Sequence, residues 1–360
     1  MFTTPYVYVD LDKVEKNIKN MISRLNSKGI EHWPHIKSHK SVELAKKQLE
    51  YGAKGITCAK LSEAEVMAEG GIQPILIAYP IIGEEKLNRL GKLAKKIDIR
   101  TTVDSLPVAE GLSTVGETIG KKIEVLIEID GGSHRGGVQP GQATLDFARE
   151  IIKLPGIQLV GVFTYVGQIY GCQTEEEIKQ ETRLEAQILL KAKELLKANG
   201  IEVTVTSGGS TVSSFHAEEL EGISQSRAGN YIFGDMNAIH VGVYTESDCA
   251  LKVRSTVISV PLPGYATIDA GTKTLTSDLS CRGNTYGLLV SHPDIQLFKL
   301  NEEHGYLSYD PKLHTLHVGD QVEIIPNHCC VIPNLYDSIY SFRGEEHIGS
   351  LKIDARGKNY

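Results

Sequence analysis

Four stretches of this sequence combine residue types that do chemistry with spacings that let them act together. The first is His32-Trp33-Pro34-His35-Ile36-Lys37-Ser38-His39-Lys40. On an extended strand the side chains alternate, so Trp33, His35 and Lys37 share one face. A lysine facing the interior of a barrel is unusual, because lysine is seldom buried without a partner. Taking a lysine out of water favours its neutral amine, the form that condenses with a carbonyl cofactor to give an imine. The plainer alternative is that the strand ends early and these are solvated loop residues. The second stretch is Ser207-Gly208-Gly209-Ser210-Thr211, after an apolar run and before an apparent short helix. Glycines let backbone N–H groups approach a phosphate, hydroxyls add donors, and a helix start adds partial positive charge. Gly229-Asn230-Tyr231 follows the next apolar run, in the complementary place. A lone run of this kind is a turn more often than a cradle; the two together favour the cradle.

The third stretch, Glu128-Ile129-Asp130-Gly131-Gly132-Ser133-His134-Arg135-Gly136-Gly137, offers Arg135 to a carboxylate or a phenolic oxygen. By itself Arg135 would read as a solvated loop residue. The fourth is Pro326-Asn327-His328-Cys329-Cys330. In an extended stretch His328 and Cys330 point the same way, and an imidazole–thiolate pair suits zinc. Two protein ligands leave positions open for water or substrate, the arrangement of a catalytic metal. The motif is weak alone, since a buried thiol beside a satisfied histidine is commoner.

These stretches need elements to position them. Between about residues 30 and 238, apolar runs fall at 32–37, 55–60, 74–80, 97–103, 123–130, 158–166, 202–208 and 223–233. Helix-like segments such as 41–51, 62–69, 84–95 and 174–198 separate them, with Ser62 and Thr174 as expected N-caps. Eight strand signals alternating with helices predict a parallel (β/α)8 barrel, although periodicity alone also allows an open doubly wound sheet. On that count Ser207–Thr211 and Gly229–Tyr231 follow strands seven and eight, where such barrels often bind phosphate. No dinucleotide or P-loop fingerprint is present. Beyond about Val241 the pattern turns to strands at 251–260, 266–275, 287–290, 295–300, 313–318, 321–326 and 347–354, with no helical run. The expected organisation is a barrel over residues 11–242 and a mostly antiparallel β domain over 243–360, joined by residues 1–10.

Composition narrows the class. The 360 residues are 41% hydrophobic and 23% charged, ordinary for a folded protein and enough for two domains. A net charge of −7 without a basic cluster argues against nucleic acid. No segment reaches the roughly 18 apolar residues of a membrane span, and the first ten residues do not read as a secretory leader. Six scattered cysteines, two of them adjacent at 329 and 330, predict reduced thiols in a cytoplasmic protein.

Together the stretches resemble the D-serine dehydratase and D-threonine aldolase family, which shares the fold-type III pyridoxal 5'-phosphate (PLP) architecture of alanine racemase. The resemblance runs from Thr4-Pro5 and Val9-Asp10-Leu11-Asp12 through Pro34-His35-Ile36-Lys37-Ser38-His39-Lys40. It continues in Arg227-Ala228-Gly229-Asn230-Tyr231, Asp269-Ala270-Gly271-Thr272-Lys273, Pro326-Asn327-His328-Cys329-Cys330 and Pro333-Asn334-Leu335. It implies a PLP barrel, a β domain and a homodimer acting on small D-amino acids. By position it makes Lys37 the imine lysine and places His35 and Arg135 near the cofactor. Ser207, Gly208, Gly209, Ser210 and Thr211, with Gly229, Asn230 and Tyr231, would hold the phosphate. His328 and Cys330 would hold a divalent metal, zinc by their chemistry. Tyr165, Gly167, Gln168 and Tyr170 match a loop that lies over the cofactor in the family. Trp33 stands where relatives often have arginine, and the phosphate loop reads G-G-S-T-V where they more often show G-S-T-P-T.

Within the family, dehydratases tend to show H-x-C at the metal and aldolases H-x-D. Cys330 therefore points to dehydration of a D-3-hydroxy amino acid, D-serine first, with retro-aldol cleavage of D-threonine as the alternative. A racemase would need a second base on the opposite face, and none is assignable. Non-catalytic PLP-binding relatives lack a β domain, whereas about a third of this chain follows the barrel. A barrel enzyme without PLP would show no absorbance beyond its aromatic bands.

Overall fold

The computed structural model describes residues 2–360. Two compact units make up the chain. The chain up to Ile18, Ser38–Ser41 and Asn230–Gly357 form one; Lys19–Lys37, Val42–Gly229 and Lys358–Tyr360 form the other.

The larger unit holds eight parallel strands: Glu31–His32, Ile56–Cys58, Ile75–Ile77, Ile99–Val103, Ile123–Asp130, Ile157–Tyr165, Val205–Gly208 and Gln225–Ser226. The eighth pairs with the first, Glu31 opposite Gln225. An isolated parallel bridge between His35 and Thr57 joins the first to the second and closes the ring. Most of these strands are buried on both faces, which is why they read as continuous apolar runs. Trp33, Leu76, Leu126, Phe163 and Val205 form one buried cluster. A side chain at Gly55 would place its Cβ 2.5 Å from the indole of Trp33, so glycine there makes room for the ring.

Crossover helices run at Val42–Glu50, Leu61–Glu69, Glu84–Ala94, Leu106–Ile119, Gln142–Ile151 and Glu175–Ala198. Thr174 caps the last as expected, its hydroxyl accepting from Glu177 N–H while the Glu177 carboxylate accepts from Thr174 N–H. Ser62 does not act as a cap. Its helix begins at Leu61, and the Ser62 hydroxyl donates instead to the backbone oxygen of Tyr360.

In the other unit, Leu251–Leu262, Tyr265–Ile268, Gly305–Ser308, Gln296–Leu300, Gly287–Leu289 and Gln321–Pro326 pair in turn, all antiparallel, into a closed six-stranded ring. The ring closes because the 12-residue strand Leu251–Leu262 carries two register shifts that bend it across two partners. Tyr6–Asp10, Ser338–Arg343 and Glu346–Lys352 extend the same sheet beyond the ring. The predicted strand over 313–318 is absent: Leu313 and Val318 are 70% and 67% exposed, so its alternating apolar residues face no core. The one expected over 266–275 ends at Ile268 and gives way to a short helix, Thr272–Leu275. Among the described residues no helix is long and apolar enough to cross a membrane, and no disulfide forms.

Candidate active site

Within the barrel unit the first strand ends at His32, but its ladder carries on in part. Trp33 N–H donates to Ser226 O at 2.8 Å and His35 N–H to Ala228 O at 3.1 Å. Pro34 has no N–H for the second strand and offers only its carbonyl, to Thr57 N–H at 2.8 Å. The chain then enters a 3-10 turn at Ile36–Ser38. Trp33 is buried and His35 half-buried, while Lys37 leaves the strand register and stands exposed on the turn. The shared face expected for all three thus covers Trp33 and His35 only.

The loop after the fifth strand is organised by Asp130. Its buried carboxylate accepts from the N–H groups of Gly132 and His134 at 3.0 and 3.1 Å, from Gln139 Nε2 at 3.1 Å, and bonds His134 Nδ1. Burial works to raise the pKa of Asp130, but these bonds outweigh it and hold the group at about 2. The loop carries Arg135, exposed, with its guanidinium 4.8 Å from the ring centroid of Tyr165. Gln168 lies in a 3-10 turn, Gly167–Gly171, that also carries Tyr170. Its Nε2 donates to Gly131 O at 2.8 Å and to Glu181 Oε2 at 3.0 Å, fastening the loops after strands five and six to one another. Gln168 Oε1 is buried without a partner among the described residues.

Ser207, Gly208, Gly209, Ser210 and Thr211 are all buried. Gly209 takes φ +78°, a conformation that favours glycine, and a Cβ there would lie 2.6 Å from Ser226 Oγ. Ser207 Oγ accepts from Arg227 Nη1 at 2.8 Å. Gly209 N–H donates to Glu185 Oε1 at 3.0 Å, and Ser210 N–H to Ser213 Oγ at 2.8 Å. Several donors counted toward the cradle are therefore engaged within the protein. The helix that follows, Thr211–Phe215, spans five residues.

In the sequence Arg227 stands only as part of the motif Arg227-Ala228-Gly229-Asn230-Tyr231. It is buried at the end of the eighth strand, donates also to Thr164 O at 2.6 Å, and lies 3.6 Å from the centroid of Phe163. Burial lowers its pKa to about 10, with Glu185 and Glu128 nearby as opposing charges. Glu128 is shifted upward by the same burial. An arginine directly after a strand was the available signal, since lone arginines are rarely interior.

In the β-domain unit, Asn230 and Tyr231 lie buried in the 3-10 turn Asn230–Ile232, directly after Gly229. Asn230 Nδ2 donates to Asp235 Oδ2 at 3.1 Å. After the strand Gln321–Pro326 the chain bends and turns instead of staying extended. That turn still brings His328 and Cys330 side by side, linked by a hydrogen bond. The neighbouring Cys330 thiolate is the main cause that raises the pKa of His328 to about 10, against the effect of burial. His328 Nδ1 also bonds Asp278 Oδ2 at 2.9 Å, and Cys330 Sγ lies 3.1 Å from the hydroxyl of Ser38, the residue after Lys37. Between the pair, Cys329 N–H donates to Asp235 Oδ2 at 3.1 Å, and Asp235 is fully buried. Sequence reading singled out neither Asp235 nor Asp278.

An imidazole oriented by a carboxylate on Nδ1 keeps Nε2 for a ligand, and a thiolate beside it completes a donor pair suited to zinc. Among the described residues no group of three or more His, Cys, Asp or Glu is arranged to hold a metal. The barrel loops, with their buried hydroxyls and the unpartnered amide oxygen of Gln168, suit a polar ligand such as PLP.

Comparison with known proteins places the chain in a family. Residues 9–237 match the alanine racemase N-terminal domain, and residues 250–342 a putative serine dehydratase domain. A D-threonine aldolase of Arthrobacter sp. is 32% identical over 361 residues, covering 98% of this chain and 93% of the relative. D-threo-3-hydroxyaspartate dehydratase of Delftia sp. is 33% identical over 347 residues, covering 91% and 90%. A solved cysteine-to-alanine mutant of a D-threo-3-hydroxyaspartate dehydratase, in its metal-free form, superposes with a TM-score of 0.90 at 30% identity, covering 98% and 97%. The chain belongs to the family of fold-type III PLP enzymes that holds the D-threonine aldolases and D-serine dehydratases.

Proposed function

We propose that this protein is a PLP- and metal-dependent lyase that dehydrates D-3-hydroxy amino acids, D-serine foremost, to a 2-oxo acid and ammonia. The observation that carries this reading is the hydrogen-bonded His328–Cys330 pair, whose thiolate member matches the dehydratase side of the family. A separate structure of the dehydratase relative carries a histidine-to-alanine change two positions before the cysteine replaced in the metal-free mutant. That spacing is the spacing of His328 and Cys330.

In this reading Lys37 would hold the cofactor through its Nζ, and the same amine would take the α-proton of the substrate. PLP, when bound, spreads the negative charge left on the α-carbon. Arg135, with Tyr165 against it, would help hold the cofactor together with Gln168 and His35. The phosphate falls to Ser207, Gly208, Gly209, Ser210 and Thr211 together with Gly229, Asn230 and Tyr231. His328 and Cys330 would hold zinc, whose Lewis acidity serves the β-oxygen as it leaves. Asp278 keeps the His328 ring in place through Nδ1.

Retro-aldol cleavage is the second reading, favoured by the Arthrobacter relative. D-Threonine separates the two. Given the PLP-loaded, zinc-supplied protein, it should yield 2-oxobutanoate and ammonia by mass spectrometry, and Lys37→Ala should abolish both. Glycine and acetaldehyde would overturn the dehydratase assignment and keep the cofactor assignment. Inertness toward both D-threonine and D-serine would overturn the lyase reading itself.

A further inference from the structure

One helix of the barrel unit, Glu175–Ala198, points two carboxylates one turn apart at two different loops. Glu181 Oε2 accepts from Gln168, after the sixth strand, at 3.0 Å. Glu185 Oε1 accepts from Gly209 N–H, after the seventh, at 3.0 Å. Residues i and i+4 share a helix face, so this one face sets the relative height of both loops.

Glu185 is the unusual member. It is 1% exposed, lies under a turn assigned to an anionic group, and takes from that turn one of its backbone donors. A bare carboxylate there would repel a phosphate. Burial raises the pKa of its carboxyl, favouring the neutral form; the hydrogen bond from Ser213, the charge of Arg227 and the Gly209 N–H act the other way without cancelling that rise. Its side chain packs beneath Gly208, where a Cβ would come within 3.4 Å of the Glu185 carboxyl carbon. A buried carboxylate is costly unless it holds something in place. What Glu185 holds is the left-handed turn at Gly209, φ +78°.

We propose that Glu185 is a positioning residue for the cofactor phosphate: by fixing Gly209 N–H it sets the turn whose remaining donors face the phosphate. It touches neither cofactor nor substrate and acts through Gly209. The inference rests on the reading of Ser207–Thr211 as the phosphate turn.

The test compares binding of PLP with binding of pyridoxal, which forms the same imine but lacks the phosphate. Dissociation constants are read from the imine absorbance of the full-length protein, without reference to turnover. Wild type should bind PLP far more tightly than pyridoxal. Glu185→Ala should lower that preference by about tenfold or more, acting on PLP and leaving pyridoxal nearly unchanged. Glu185→Gln, which keeps an acceptor for Gly209 N–H, should restore the preference to within about threefold. If the alanine variant does not fold, Glu185→Asp withdraws the carboxylate from Gly209 and should show the same selective loss. A loss shared equally by PLP and pyridoxal, or an unchanged preference, overturns the inference and leaves the phosphate turn standing. A wild type that binds the two alike overturns the phosphate turn itself, and the role of Glu185 with it.

Discussion

The two units anchor their candidate site residues with the same device, a carboxylate gripping a loop (buried at Asp130, Glu185 and Asp235, half-exposed at Asp278), but they recruit it from different distances along the chain. In the barrel unit the grip is short-range: Asp130 holds His134 four residues on, and Glu185 holds Gly209 across 24. In the β-domain unit Asp278 reaches His328 across 50 residues, and Asp235 reaches Cys329 across 94. A parallel barrel delivers successive loops to one end of the sheet, so neighbours in sequence are neighbours in the site. An antiparallel ring brings strands together out of sequence order, and its His328–Cys330 pair depends on partners supplied from elsewhere.

If this division holds, the two halves of the chemistry come apart under mutation. The largest effect belongs to the barrel. Lys37→Ala should remove the imine absorbance and lower kcat by about a thousandfold or more, with the circular dichroism spectrum unchanged. Cys330→Ala should come next: zinc content falls toward zero by elemental analysis and kcat by about a hundredfold, while the imine band stays. Loss of the imine band in Cys330→Ala would break the comparison, because the metal pair would then be governing the cofactor as well.

Smaller effects sharpen it. Asp130→Asn should cost about 1–3 kcal/mol in urea unfolding, since its bonds to the loop are charge-assisted. The sign follows from the native carboxyl lying below its ordinary value, at about 2. Its stabilisation is present above the unfolded pKa near 4 and is lost as pH falls toward 2. The variant's stability should accordingly show a shallower acid slope. Gly55→Ala should lower stability by a similar or smaller amount, about 1–2 kcal/mol, by pressing a methyl against the Trp33 indole. An equal response of zinc content to either barrel substitution would count against the separation of the two units.

Sequence reading tracks this contrast. Each of the eight barrel strands overlaps a predicted run, and those buried on both faces, such as Ile56–Cys58, Ile75–Ile77 and Ile123–Asp130, leave a nearly unbroken apolar signature. The sequence left open whether the first strand runs to Lys37 or ends early, and the turn at Ile36–Ser38 decides for the early end. In the antiparallel unit, 313–318 alternates like a strand yet meets no core, and Ser338–Arg343 was passed over although it pairs with Tyr6–Asp10. Thr174 was legible as a cap because capping is local; Ser62 was not, because its partner Tyr360 lies 298 residues away. His328 and Cys330 stood out as types that bind metal. Asp235, Asp278, Glu185 and Arg227 did not, because a lone acid or arginine reads as surface until its distant partner is known.

The interleaving of the two units also bears on how the protein can be cut. The peptide that follows Lys37 is built into the β-domain unit, where Lys40 Nζ donates to Asn334 Oδ1 at 2.9 Å and Lys40 O accepts from Ala355 N–H at 3.0 Å. The barrel unit in turn reclaims Lys358–Tyr360 to partner Ser62. A fragment stopping at residue 229 would carry Lys37 on a segment stripped of its anchors. Engineering one unit by truncation or by grafting it onto another scaffold therefore means rebuilding both ends of the exchange.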